Sequence, residues 1–151
     1  MKSMIHKTAS LLATLCIATF FTSTLMVELF GTEEMIALVK SLIVMPGVFI
    51  LVPAMAVTGA TGFALAKERK GRVVDAKKKR MPIIAIIGMF ILLPAAIYLN
   101  NWASIGSFDM KFYILQGVEL IAGAINLTLM IKSMKDGKKL VGKKPKNIIK
   151  D

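Results

Sequence analysis

The sequence predicts an all-α integral membrane protein, a bundle of four transmembrane helices with the N and C termini in the cytoplasm. The 151 residues are 56% hydrophobic, above the fraction of about 45–50% that is usual for soluble domains. Four apolar stretches of about 20 residues, the length that crosses a bilayer, follow one another along the chain. The basic residues are gathered in blocks between and beyond these stretches. Together these observations predict four spans within a domain over residues 1–136.

The first predicted span covers residues 8–30 and carries one acid, Glu28, near its far end. Its apolar part is longer than the core of a signal peptide, which has about 7–15 residues, and no small-residue cleavage site ends it. We therefore expect a retained helix, with Glu28 placed at the outer interface, where it needs no partner.

The second predicted span covers residues 46–66, contains no charged residue and ends in the basic run 67–80. The stretch before it, residues 34–45, is predicted to be a helix in the outer interface that bends into the span at Pro46 and Gly47. A single, strongly tilted helix is the alternative. The interfacial placement puts Lys40 near the lipid headgroups, which a lysine can reach by snorkelling.

The third and fourth predicted spans cover residues 81–100 and 112–131. Pro94 lies inside the third span and predicts a kink there. Tyr98 lies at its outer end, where membrane proteins concentrate aromatic side chains. Residues 137–151 form a basic cytoplasmic tail.

Charge sets the predicted topology. Four spans with both termini inside place 18 of the 20 basic residues on one side of the membrane and leave only Lys40 and Lys111 on the other. Such an asymmetry is typical of proteins of the cell inner membrane, where basic loops stay inside. The same basic face would lie against anionic lipid. Because the charge flanks apolar spans and aromatic residues are only 7% of the chain, the pattern argues against a nucleic-acid partner.

Small residues recur on the second and fourth spans. In lipid, helices associate through close packing of small side chains. We predict that this packing holds the bundle together and supports a homo-oligomer or a larger membrane complex. The predicted packing residues are Ala56, Gly59, Gly62 and Gly123.

A polar stripe on the fourth span predicts an intramembrane site. Gln116, Glu119, Gly123 and Asn126 recur at the spacing of one helix face. An ionised carboxylate at this depth is costly, so Glu119 should be protonated, paired or in contact with a wet cavity. It could carry a proton or bind a cation, or it could belong to a hydrogen-bonded cluster that fixes helix register. Its candidate partners are Lys40, Lys111, Asn100, Thr22 and Thr24.

Catalytic and metal-binding patterns are absent from the sequence. One histidine and one cysteine cannot form a four-ligand zinc site or a redox pair of cysteines, and no nucleotide-binding or hydrolase motif occurs. We therefore predict no metal site and no enzymatic activity. His6 is either a surface residue or, as the one histidine, a single axial ligand for haem.

The arrangement resembles small four-helix integral membrane proteins of bacteria in the copper-resistance-D-like group. The resemblance rests on His6 before the first span and on Pro46 and Pro53 followed by Thr58-Gly59 in the second. It implies that His6 would be a ligand for haem or a metal.

Three functions follow from these observations. The leading one is a non-catalytic helper or subunit of a membrane complex. The alternative is a small, oligomeric transporter coupled to protons or cations through Glu119. A third is a membrane redox protein that uses His6 to hold haem or works with a quinone.

Overall fold

The computed structural model describes residues 1–67 and 71–142, and these are almost entirely helical, with no strand among them. The helices are α1 (Lys2–Phe30), α2 (Glu33–Leu42), α3 (Phe49–Lys67), α4 (Arg72–Ile86), α5 (Leu93–Ser104) and α6 (Met110–Gly142). A kinked segment, Ile43–Val48, joins α2 to α3, and a wider, π-helical turn joins α4 to α5 over Ile87–Leu92. The predicted all-α class is confirmed.

The helices form four long units, α1, α2–α3, α4–α5 and α6, which we call spans 1 to 4. Within the described residues, four helical units are long and apolar enough to cross a membrane: Lys2–Phe30, Glu33–Leu65, Arg72–Ser104 and Met110–Lys138. The prediction of four apolar helices long enough to cross a membrane is confirmed.

The four spans close into a ring. The α1 helix packs on α3 and α6, and α6 packs in turn on α4 and α5. Span 3 completes the ring against span 2, through α2 with α5 and α3 with α4. Spans 2 and 4 therefore face each other across the interior of the bundle rather than side by side.

Three of the helices extend beyond the apolar stretches that predict them. The α1 helix begins at Lys2, α4 begins at Arg72 within the basic run, and α6 continues past Gly137 to Gly142. Lysine, arginine, alanine and methionine are good helix formers, and long basic side chains can extend from a helix to the membrane surface. Hydropathy therefore marks where the apolar surface ends, not where the helix ends. The predicted tail beyond residue 142 lies outside the described residues.

Span 2 is interrupted at Met45, whose backbone is extended, with φ −133° and ψ 112°. The cause is Pro46, because the proline ring clashes with a helical conformation of the residue before it. The α2 helix starts at a cap in which Thr32 Oγ1 accepts a hydrogen bond from the Met35 amide. The break lets α2 run in a different direction from α3, and α2 packs against α1 and α5.

The bundle is apolar on its outside as well as in its core. One core cluster contains Val27, Ile36, Leu99 and Phe112 together with Ala95 and Ala103, and a second contains Ala13, Ile17, Ala54, Ile84 and Met130. On the outer surface, Phe30 is 78% exposed and Phe90 is 72% exposed. Large apolar side chains at such exposure are expected where lipid, rather than water, surrounds a bundle.

Leu99 gives a test of this core, because its side chain is completely buried between α1, α2 and α6 residues. We expect Leu99→Ala to destabilise the bundle by about 2–5 kcal/mol, since it removes packing and leaves a cavity. Thermal unfolding in detergent would measure the loss. The control is Ile97→Ala, two residues away on the same helix, where the side chain is 43% exposed. Equal melting temperatures for the two variants would contradict the assigned core.

Candidate functional site

The most deeply buried charge in the described structure is the Lys40 ammonium. Lys40 is 0% exposed, and its Nζ donates a hydrogen bond to Glu119 Oε2 within an ion pair. Lys40 lies on α2 and Glu119 on α6, so the two side chains meet across the interior of the ring. The lysine was predicted at the headgroups; the structure instead directs it inward, where the carboxylate compensates its charge.

Gln116 supports the same carboxylate from one turn away on α6. Its Nε2 donates to Glu119 Oε2 over 3.1 Å. Gln116 is 3% exposed, and its Oε1 is buried without a hydrogen-bond partner in the described structure. Glu119 Oε2 thus accepts two hydrogen bonds, one of them charge-assisted, which holds the carboxylate in place.

Glu28 contributes a second carboxylate to this end of the bundle. It lies close enough to Lys40 and Glu119 to interact electrostatically with both. Its Oε1 is buried, with no hydrogen-bond partner among the described residues. Sequence reasoning missed this role, although Thr24 and Glu28 lie one turn apart on one face of α1.

We call Glu28, Lys40 and Glu119 the charged triad. It contains two carboxyl groups and one ammonium. With all three ionised, the triad carries one net negative charge inside an apolar bundle, which is energetically costly. One additional proton or one cation would make it neutral.

Glu119, one member of the charged triad, lines a central cavity of about 290 Å³, close to the lower limit of about 300 Å³ for small-molecule pockets. All four spans contribute to its wall, which in the described part of the chain is apolar except for Thr24 and Glu119. Representative wall residues are Ile17, Phe21, Val52, Met89 and Leu120. The carboxylate of the ion pair is therefore accessible from a space that could hold a small molecule.

The small residues predicted to pack helices together mostly border this space. Ala56, Gly59 and Gly123 line the central cavity. A side-chain carbon added at Gly59 would meet no atom within 4 Å. Gly62 is different, because a carbon there would lie 2.2 Å from Met81 Cε and 3.1 Å from the His6 ring. Gly62 thus serves close packing between helices. Gly123 also approaches α1, since a carbon added there would lie 3.4 Å from Phe21 Cδ2, while Ala56 and Gly59 border the cavity.

Asn126 is completely buried on α6, and neither its Oδ1 nor its Nδ2 has a hydrogen-bond partner in residues 1–67 and 71–142. Asn126 lies near Gly88 and Met55. A β-carbon added at Gly88 would be 3.7 Å from Asn126 Nδ2 and 3.6 Å from Met55 Cε. Met55 and Gly88 both line the central cavity. Leaving a buried carboxamide unpaired is costly, and Asn126 itself is not among the residues that line the central cavity.

His6 lies away from the charged triad, beside a second cavity of about 80 Å³. Its Nδ1 donates to the Thr58 carbonyl oxygen over 3.2 Å and lies 3.1 Å from Thr61 Oγ1. Its Nε2 accepts from Lys77 Nζ over 3.2 Å. Because both ring nitrogens are engaged, and because the cavity is far smaller than the pockets of about 300–1,000 Å³ that hold larger ligands, His6 does not fit the role of a haem ligand here.

Asn100, the remaining predicted site residue, is half-buried near the end of α5. No hydrogen bond joins it to Glu119 or Lys40 in the described structure. The described residues also contain no group of three or more His, Cys, Asp or Glu side chains that could hold a metal ion. The geometry therefore brings together Lys40, Gln116 and Glu119, adds Glu28, and leaves Asn100, Asn126 and His6 outside that cluster.

The chain matches no protein-family model, and comparisons with curated proteins and with solved structures give no match either. The resemblance to the copper-resistance-D-like group therefore stays a prediction.

The ion pair yields a stability test. We expect Lys40→Met to destabilise the bundle by about 3–5 kcal/mol, because it leaves a buried carboxylate without its counter-charge. Adding Glu119→Gln should restore part of the loss, since the amide carries no charge. Thermal unfolding in detergent measures both effects.

Lys111→Met is the matched control, because Lys111 is exposed at the start of α6. It should melt close to the unaltered protein. A Lys40→Met variant as stable as this control, or no recovery in the double variant, would show that the pair does not support the fold.

Proposed function

We propose that the chain is a multi-pass protein of the cell inner membrane with both termini in the cytoplasm. The charge distribution supports this orientation. In the structure, Arg80 on α4 pairs with Asp136 on α6 over 2.8 Å, and Lys77 on α4 contacts His6 on α1. The basic segments of three helices therefore meet at one end of the bundle, which we call the basic end. That end would face the cytoplasm and its anionic lipids.

We further propose that this protein is a small transporter coupled to protons or monovalent cations. One observation carries the proposal: the buried Lys40–Glu119 ion pair has a second carboxyl group, Glu28, within electrostatic range, and Glu119 lines a cavity bounded by all four spans. Ionisable groups inside a membrane bundle are costly and commonly mark pathways for ions or protons. The unmatched carboxyl group supplies a place for one transported charge.

In the proposed mechanism, a proton or cation neutralises the charged triad from the outer side. Glu119 can then exchange its bond with Lys40 for one with the incoming charge without leaving a net charge in the apolar interior. The transported charge would next pass the central cavity toward Asn126, whose carboxamide oxygen and nitrogen have no hydrogen-bond partner in the described structure. Asn126 lies on α6 between Glu119 and the basic end, so it would be the next polar side chain of α6 along this route.

The non-catalytic subunit of a membrane complex, which is the leading function on sequence grounds, is here the second candidate, supported by the lack of catalytic motifs in the sequence. In either case the chain could form a homo-oligomer through its apolar outer faces. The haem-linked redox function is the weakest of the three, because of the hydrogen bonds at His6.

Transport can be tested with the full chain reconstituted in liposomes that enclose a pH-sensitive dye. After a pH or potassium gradient is imposed, we expect proton or cation flux above that of protein-free liposomes. Glu119→Gln should remove it, because the amide cannot take up a proton or balance a cation. Glu28→Gln should lower it, since only one carboxyl group then remains beside Lys40.

The matched control for transport is Glu33→Gln, the same change at an exposed position in the first turn of α2. Its flux should equal that of the unaltered protein. Full flux in Glu119→Gln, or no flux in any sample, would exclude the transport function. Co-purification of a stoichiometric partner in mild detergent would then favour the subunit role.

Orientation can be tested by cysteine labelling in a Cys16→Ser background. We expect a membrane-impermeant maleimide added to intact cells to label Ser104→Cys, because the connection after α5 lies outside. Lys2→Cys and Lys138→Cys should react only after the membrane is opened, since the basic end lies inside. Labelling of all three positions in intact cells, or the reverse pattern, would overturn the proposed topology.

A further inference from the structure

The central cavity has room for more than a proton or a bare ion. A cavity of about 150 Å³ with an apolar wall binds a molecule of benzene. The central cavity measures about 290 Å³, which by the same proportion is room for an organic molecule of about 12 non-hydrogen atoms. In the described part of the chain its wall offers two polar side chains, Thr24 and Glu119. Its size and its wall therefore suit a compact, mostly apolar molecule with one polar group.

Glu119 keeps one carboxylate oxygen that no hydrogen bond uses in the described structure. Lys40 Nζ and Gln116 Nε2 both donate to Oε2. An ionised carboxylate has two oxygens and can accept about four hydrogen bonds. Because Glu119 is part of the cavity wall and its side chain is 12% exposed, a bound molecule can contact its Oε1 while Lys40 stays on Oε2.

The charge of such a molecule follows from the charged triad. With Glu28, Lys40 and Glu119 ionised, the triad carries one net negative charge. A monovalent cation beside Glu119 makes the whole site neutral and leaves the ion pair with Lys40 intact. A neutral or anionic molecule would leave or increase the uncompensated charge in the apolar interior. The cavity therefore favours a molecule with one positive charge.

The wall of the cavity favours an organic cation over a metal ion. Metal cations such as Mg²⁺ and Ca²⁺ take about six to eight oxygen ligands, and potassium channels surround their ion with carbonyl oxygens. The side chains of Thr24 and Glu119 cannot replace such a shell. Phe20 and Phe21 line the same wall and lie one turn before Thr24 on α1. Aromatic rings attract organic cations, and quaternary ammonium groups in particular.

We infer that the central cavity binds a small organic cation, an amine or a quaternary ammonium compound with an apolar body. The positive group lies at Glu119 Oε1, and the body packs against the rings of Phe20 and Phe21 and the aliphatic part of the wall. This inference deepens the proposed function and rests on it, because it names the organic cation as the transported charge. Binding to the cavity can nevertheless be measured without transport.

Benzyltrimethylammonium is a suitable probe, because it has this size, one aromatic ring and one fixed positive charge. Its binding to the full chain in detergent can be measured by isothermal titration calorimetry, with protein-free micelles as the blank. The matched compound is neopentylbenzene, which has the same shape without the charge. We expect the neutral compound to bind at least about tenfold more weakly, since it leaves the net charge of the triad uncompensated.

Two variants assign the binding to this cavity. Glu119→Gln should weaken binding of the probe by about tenfold or more, because it removes the carboxylate that the cation neutralises. Glu28 still lies within electrostatic range of Lys40 in this variant, so the buried ammonium keeps a counter-charge. Phe21→Leu retains the whole charged triad and should weaken binding by about two- to fivefold, since it removes an aromatic ring beside the cation.

The controls make the same changes outside the cavity. Glu33→Gln alters an exposed position in the first turn of α2, and Phe90→Leu replaces a ring that is 72% exposed on the outer surface. Neither residue lines the central cavity. Both variants should bind the probe as the unaltered protein does, which separates loss of the site from a general effect of charge or aromatic content.

The inference is overturned if neopentylbenzene binds as tightly as the cation, if neither Glu119→Gln nor Phe21→Leu weakens binding, or if the probe does not bind. The liposome assay separates this result from the transport function. Ion flux through protein that does not bind the probe would retain transport and remove the organic cation as its cargo. Probe binding by protein that shows no flux of protons, potassium or the probe itself would retain the cavity site and remove transport.

Discussion

The compensation of a buried charge is the constraint on which this structure depends. Lys40 is completely enclosed, and in an apolar interior its ammonium needs a counter-charge. Glu119 provides it from the opposite side of the ring. Spans 2 and 4 must therefore stay within the reach of two side chains, although they are not neighbours. The break at Met45 helps to place Lys40. It gives α2 a different direction from α3, so α2 packs against α1 and α5 while the Lys40 side chain reaches inward.

The hollow interior follows from the small residues of the second and fourth spans. Helices in lipid gain little from excluding water, so their association depends on packing contacts. In this bundle Ala56, Gly59 and Gly123 border a cavity, and a carbon added at Gly59 would meet no atom within 4 Å. The contacts that close the ring come from the two core clusters and from Gly62. The close packing contacts are thus confined to these layers of the bundle, and the space between the layers could hold a ligand.

Much of the architecture could be predicted from the sequence. The four apolar stretches identify the four spans, and the spacing of Gln116 and Glu119 identifies the stripe that the ion pair uses. The lengths of α1, α4 and α6 could not be predicted from hydropathy, because basic residues continue a helix after its apolar surface has ended.

The composition of the site was harder to predict. Lys40 and Glu119 are 79 residues apart, and no local pattern links them, so the sequence offers Lys40 only as one of five candidate partners of Glu119. Considered alone, Lys40 is expected at the lipid headgroups, because burying its charge is costly unless a counter-charge such as Glu119 lies nearby. Glu28 was overlooked for the same reason, because its environment depends on two other helices.

The ion pair between Arg80 and Asp136 has a mechanical consequence when it is considered together with Lys40 and Glu119. The Arg80–Asp136 pair connects α6 to α4 at the basic end. The Lys40–Glu119 pair connects α6 to α2 toward the opposite end of the bundle. A rigid helix fastened near both ends can swing outward at one end only by pivoting on the other. Widening the bundle on one face of the membrane would then leave the opposite face latched, so the interior would not form a leak that is open to both sides at once.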